Sequence, residues 1–176
     1  MNSRPLTPAG LKAKEIIGIP WRLAFALQQD GWFLRSDIVW NKPNAMPESV
    51  RDRPSRCHEY LFLFAKEKSY YYDWASIQEP AKGGQMKRKG SVWSVNTQAF
   101  RGAHFATFPP ELIRPCILSS SREYDFVLDP FFGAGTVGLV CNQSRRNYIG
   151  IELNPTYVDL AMDRLTESHA QASLIA

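Results

Sequence analysis

Asp129-Pro130-Phe131-Phe132-Gly133-Ala134-Gly135-Thr136 is the segment whose residue types and spacing best suit chemistry. Phe126-Val127-Leu128 ahead of it has the make-up of a short strand, and Thr136 to Gln143 reads as a helix. Glycines between a strand and a helix let the backbone turn sharply and come close to a ligand at the carboxyl edge of a parallel sheet. Glu152 closes the next strand, Tyr148-Ile149-Gly150-Ile151. A carboxylate there, about twenty residues past the glycines, can accept hydrogen bonds from both hydroxyls of a ribose. These residues describe a nucleoside pocket. Gly133-x-Gly135-x-x-Gly138 also matches the dinucleotide fingerprint, but Asp129 at the strand end would repel a pyrophosphate and attract an ammonium instead. The tail after Glu152 is also too short for the rest of a dinucleotide fold, so an NAD-dependent oxidoreductase ranks low.

The elements around this pocket follow from apolar spacing. Ile16 to Gln29 has helical periodicity through Ile16, Ile19, Leu23 and Leu27, with Pro20 suited to a first turn and Gly31 to a stop. Phe33 to Trp40 reads as a strand that Asn41-Lys42-Pro43 ends, and the proline-punctuated stretch to Pro54 reads as a loop. Tyr60 to Ala65 is a continuous apolar run, as in strands buried on both faces of a helix-covered sheet. Tyr70, Tyr71, Tyr72 and Trp74 are expected to pack, and no periodicity is evident from Ser76 to Thr107. A helix is expected from about Pro110, carrying Leu112, Ile113, Ile117 and Leu118 inward. After the glycine loop, Asn154 and Pro155 open a last helix with Tyr157, Leu160, Ala161 and Leu165 on one face, fraying after His169. Strand, helix, strand, helix predicts a parallel α/β unit.

Bulk properties set wide bounds. The 176 residues suffice for one domain with a real core, and 21 Lys and Arg against 17 acids leave a modest charge of +4. Cys57, Cys116 and Cys141 are far apart and include no CxxC pair, which predicts three buried thiols rather than a disulfide framework or a zinc site. No apolar run approaches the ~20 residues of a membrane span, and the N-terminus lacks a signal-peptide core, so a cytoplasmic protein without membrane partners is expected.

Asp129 to Thr136, followed by Ile149-Gly150-Ile151-Glu152-Leu153-Asn154-Pro155-x-Tyr157, resembles the cofactor motifs of the bacterial and phage site-specific DNA amino-methyltransferases. Gly18-Ile19-Pro20-Trp21-Arg22, Asp30-Gly31-Trp32, Asp37 to Pro43, Met46 to Val50, Asp52-Arg53-Pro54 and His58-Glu59-Tyr60 are similar to segments of the same family. His104-Phe105-Ala106-Thr107-Phe108-Pro109 resembles the motif that covers the methionine end of the cofactor. The resemblance implies an α/β, S-adenosylmethionine-dependent methyltransferase (Rossmann-like) fold, acting on N4 of cytosine or N6 of adenine in double-stranded DNA. It further implies that S-adenosyl-L-methionine is held by Asp129, Phe131, Gly133, Gly135, Thr136 and Glu152, with His104, Phe108 and Pro109 as the opposite wall. The unmatched stretch, residues 70–95, lies where the family carries its target-recognition segment, and residues 104–168 form the cofactor-binding part. Arg51, Arg53, Lys87 and Arg88, with Lys89 beside them, are candidate phosphate contacts.

The family holds the flipped base with an Asp/Asn/Ser-Pro-Pro-aromatic motif. Phe108-Pro109-Pro110-Glu111 is the one Pro-Pro pair here, with neither an acceptor before it nor an aromatic after it. In the permuted motif order that this sequence resembles, the motif lies upstream of the Gly18-Ile19-Pro20-Trp21 helix. The expectation is therefore a partial domain, 1–176, with two central strands missing and no catalytic or metal-ligating residue of its own. It would be a truncated enzyme, a non-catalytic cofactor- or DNA-binding fragment, or one half of a split enzyme whose other chain carries the catalytic segment.

Overall fold

Aromatic packing sets the first layer. The structure, a computed structural model, describes residue 7, residues 9–98 and residues 107–173, with side chains described up to residue 168. Helix α1 spans Ile19–Gln29 with Pro20 in its first turn. It starts later than the spacing predicts, because Gly18 sits in the left-handed region (φ 70°) and no right-handed helix continues back through it to Ile16. Its inward stripe is Trp21, Ala24 and Leu27, while Ile16, Ile19 and Leu23 are exposed. The Trp21 ring explains that rotation: it meets Tyr60 and Phe62 edge-on, with centroids 5.3 and 4.9 Å away.

Those two rings belong to β2 (His58–Ala65), which pairs with β1 (Phe33–Asn41) from Phe33↔Ala65 to Asn41↔His58, with a register shift between Leu34 and Ser36. The pairing is antiparallel, whereas the apolar run of β2 suggested a strand of a helix-covered sheet. The connection from Lys42 to Cys57 contains no helix, and a parallel neighbour would need such a crossover. A 3-10 turn at Ala75–Ile77 and a small ladder of β3 (Glu79–Pro80) and β4 (Met86–Lys87) follow.

Strand β5 (Val92–Ser94) then adds to β1 in parallel, Val39↔Val92 to Asn41↔Ser94. Sequence spacing did not reveal it. Yet Trp93 and Val95 are 4% and 7% exposed while Val92 and Ser94 point outward, a short period of two. Trp40, Trp93, Val95 and Leu112 form one core, and Trp40 Nε1–H donates to Val95 O at 2.8 Å. Trp93 and Val95, at the end of the 70–95 stretch, are thus core residues.

The last third follows its periodicity closely. Helix α2 (Pro110–Ser120) packs on α3 (Thr136–Gln143), while β6 (Phe126–Asp129) and β7 (Asn147–Gly150) pair in parallel. Ile117, Val137, Val140 and Cys141 form a second core, with Val127 and Tyr148 against it. Helix α4 (Pro155–Ser173) begins at Asn154, whose Oδ1 accepts the Thr156 amide at 3.0 Å, and it runs past His169 instead of fraying there. Cys141 is buried and Cys116 partly so, and burial pushes both thiols up to about 11. Cys57 is exposed, contrary to expectation, because it sits in the loop just ahead of β2.

Among the described residues β2-β1-β5 and β6-β7 share no ladder. The face of β6-β7 turned away from α3 exposes Phe126, Leu128, Ile149 and Ile151 at 70, 60, 53 and 50%. This is the divided, incomplete α/β sheet that the sequence predicts. No helix among the described residues is long and apolar enough to cross a membrane.

Candidate cofactor site

Three hydrogen bonds to backbone amides hold the turn out of β6. Asp129 Oδ1 accepts the Phe131 amide at 3.0 Å, Phe132 N–H donates to Ile151 O at 2.9 Å, and Gly135 N–H donates to Phe132 O at 2.9 Å. Gly133 and Gly135 have φ of 50° and 73°, conformations that a side chain would strain. The Phe132 ring turns inward and stacks on Tyr148 with centroids 5.6 Å apart. A Cβ on Gly138 would lie 2.8 Å from that ring, and one on Gly150 would lie 2.5 Å away. The third glycine of the Gly133-x-Gly135-x-x-Gly138 pattern is therefore needed for packing, not for ligand approach.

Glu152 closes the loop from the other strand. Its Oε1 accepts the Asn154 amide at 2.9 Å and its Oε2 accepts the Gly133 amide at 2.8 Å. These amides, that of Asn154 first, hold the carboxyl below its ordinary value. A carboxylate offers about four lone-pair sites, so two bonds leave acceptor capacity for ligand hydroxyls. Beside it Leu153 and Phe131 are 96% and 87% exposed, apolar side chains at the mouth of the loop. Leu153 was not singled out by spacing, although its place directly after the acidic residue was the available signal.

The remaining predicted residues fall in different places. Thr136 is 5% exposed, and its hydroxyl accepts Arg164 Nη1 at 3.0 Å, so it faces α4 rather than the open side of the loop. Pro109 is fully buried and Phe108 is 37% exposed where the chain enters α2. No hydrogen bond or ring pair among the described residues joins them to the glycine loop. His104 lies outside the described residues. Arg164, missed in the sequence, also donates to Ala134 O at 2.9 Å. An arginine on the stripe that carries Ala161 and Leu165 was its signal.

The candidate phosphate contacts lie in two groups. Arg51 and Arg53 line a groove of about 1060 Å³ with Lys14, Glu48, Asp52 and Arg56. Arg53 is engaged by Glu48 at 2.7 Å and by Pro54 O at 3.0 Å. Lys87 and Lys89 both approach Glu79, at 3.1 and 3.8 Å, while the Arg88 guanidinium lies over the Trp74 ring at 4.5 Å.

Comparison with known proteins gives this site its family. The sequence matches the DNA methylase family over residues 5–163, and the chain belongs to that family. It is 65% identical to the Type II methyltransferase M.XycI of Xanthomonas campestris pv. cyanopsidis, over all of this chain and 59% of that protein. It is 66% identical to M.Cfr9I of Citrobacter freundii, over 94% of this chain and 55% of that one. The chain thus spans little more than half the length of these relatives. Among solved structures, that of the M1.HpyAVI–SAM complex superposes with a TM-score of 0.66 at 26% identity, covering 85% of this chain and 71% of the other.

Proposed function

We propose that the loop from Asp129 to Gly135, with Glu152, holds S-adenosylmethionine for methylation of double-stranded DNA at N4 of cytosine or N6 of adenine. This would be the modification activity of a restriction-modification pair. One observation carries the reading: Glu152 grips the Gly133 amide at 2.8 Å and keeps lone pairs for a ribose. The likeness to a methyltransferase solved with this cofactor supports it. S-adenosylmethionine, when bound, supplies an electrophilic methyl group on a sulfonium. Glu152 accepts from its ribose hydroxyls, and Asp129 offers the methionine ammonium the oxygen that Phe131 does not use. Leu153 and Phe131 give the adenine apolar faces and keep water from them. The family resemblance assigns the facing wall to the His104-to-Pro109 motif, of which Phe108 is exposed and would meet the cofactor while Pro109 is buried. In calorimetry the chain should bind S-adenosylmethionine and give no heat with NAD. A preference for NAD, or no binding at about 1 mM, would reject the reading.

The segment that holds the flipped base comes, in this reading, from outside these 176 residues, in the same polypeptide or on a separate chain. The open apolar face of β6-β7 and the greater length of the relatives support that view. Methyl transfer to DNA by the 176-residue chain alone, at an ordinary enzymatic rate, would count against it.

Arg51, Arg53, Lys87 and Arg88 meet DNA phosphates in this reading. Replacing Lys87, Arg88 and Lys89 together by alanine should make the salt dependence of DNA binding shallower. Since Glu79 already partners both lysines, the slope should fall by about one unit rather than by the ~2.7 of three full contacts. An unchanged slope in a salt titration would return the trio to a solvated hairpin.

A further inference from the structure

Two peptide planes that shape the glycine loop are each held on both sides, and one of the anchors comes from α4. The Phe132–Gly133 plane is held by Gly135 N–H on its carbonyl and by Glu152 on its amide. The Ala134–Gly135 plane is held by Phe132 O on its amide and by Arg164 Nη1, 2.9 Å away, on its carbonyl. The same Nη1 reaches Thr136 Oγ1 at 3.0 Å, so one guanidinium nitrogen bridges the loop and the first residue of α3. The Arg164 side chain is partly buried, and that burial lowers its pKa from the ordinary arginine value. Arg164 sits on the same helical turn as Ala161, whose Cβ lies 3.1 Å from where a Cβ on Gly135 would stand. Helix α4 therefore backs the loop with a close apolar contact and with a charge-assisted bond.

A peptide unit next to left-handed glycines can turn over at little cost, since glycine populates both signs of φ. A turned Ala134–Gly135 unit would aim its carbonyl into the ligand side of the loop. We propose that Arg164 is a positioning residue of the cofactor site: by holding the Ala134 carbonyl toward α4, it keeps the loop in the form that accepts the nucleoside. The inference rests on the S-adenosylmethionine reading above, but its structural half is independent of the ligand.

The test uses the whole chain with Arg164→Met, which keeps much of the volume, and Arg164→Lys, which keeps the charge. Two readouts are needed: the dissociation constant for S-adenosylmethionine by calorimetry, and hydrogen exchange of the Gly135 and Leu139 amides without ligand. Arg164→Met should bind about tenfold more weakly, the scale of one charge-assisted hydrogen bond, with faster exchange at both amides. Arg164→Lys should recover part of each, and it is the deciding variant if the methionine form does not fold. Wild-type affinity in a folded Arg164→Met chain overturns the proposal, as does unchanged exchange at both amides. A wild-type chain that binds no S-adenosylmethionine, while Arg164→Met still loosens the loop, overturns the cofactor reading alone and upholds the anchoring.

Discussion

Replacing Glu152 by alanine should weaken S-adenosylmethionine binding by at least about a hundredfold, because two kinds of bond disappear together. Its free lone pairs serve the ribose hydroxyls, and its engaged ones fix the Gly133 and Asn154 amides. Glu152→Gln is the finer probe. An amide keeps one acceptor oxygen and presents an NH₂ where the other was, so it opposes one of those two backbone donors and should lose less than alanine does. Titration calorimetry near neutral pH measures both, and an alanine variant within about threefold of wild type would reject the role. Acid provides a second measurement. The folded carboxyl lies below its ordinary value of 4.5, so its contribution to stability is complete above that value and is lost as pH falls through the lowered one. Glu48, Asp52 and Glu79 are lowered as well, by Arg53, Lys14 and Lys87 respectively. The difference between wild type and Glu152→Ala isolates the one residue: the gap in melting temperature should be constant above about pH 5 and should close on further acidification.

Gly150→Ala should destabilise the chain by about 3 kcal/mol, near the upper end for overpacking, and lower its melting temperature by about 10 °C. No unusual backbone angle is involved, since Gly150 lies in β7 and is not among the residues of positive φ. The cost is spatial. The new methyl would stand 2.5 Å from Cγ and Cδ2 of Phe132 and 2.8 Å from Cδ1. The ring has little room to retreat, because it is stacked on Tyr148 and lies against Gly135 and Gly138. Gly138→Ala meets the Cζ end of the Phe132 ring at 2.8 Å and Tyr148 Cε2 and Cζ at 3.1 Å, fewer and longer close approaches than at Gly150. It also regains about 1 kcal/mol of helix propensity, so its loss should be smaller. Thermal unfolding followed by circular dichroism decides the matter; a Gly150→Ala midpoint within about 2 °C of wild type would mean that the ring moves freely.

What could be read without coordinates was what neighbouring residues determine. Helix α3 was placed at both ends because glycines stand before it and a polar turn follows, and α4 was placed at its start by Asn154-Pro155. The glycine loop and Glu152 are likewise a local pattern, and the structure joins them through one hydrogen bond. Contacts between distant residues were not legible. Strand β5 is too short to show periodicity, and its burial depends on Trp40, far earlier in the chain. The face that α1 turns inward depends on where Tyr60 and Phe62 stand, so apolar spacing alone chose Ile19 and Leu23. Thr136 belonged to a cofactor motif in sequence, but its hydroxyl is held by a residue of the following helix.

The bare outer face of β6-β7 also affects the thermodynamics of the chain. Unfolding therefore uncovers less new apolar area than the length implies, and that area governs both the heat-capacity increment and the denaturant slope. The stability curve of the isolated chain should be shallow, with a weak dependence on temperature and on urea. Whatever covers Phe126, Leu128, Ile149 and Ile151 would steepen both responses, so the curvature of that curve reports whether this face is covered.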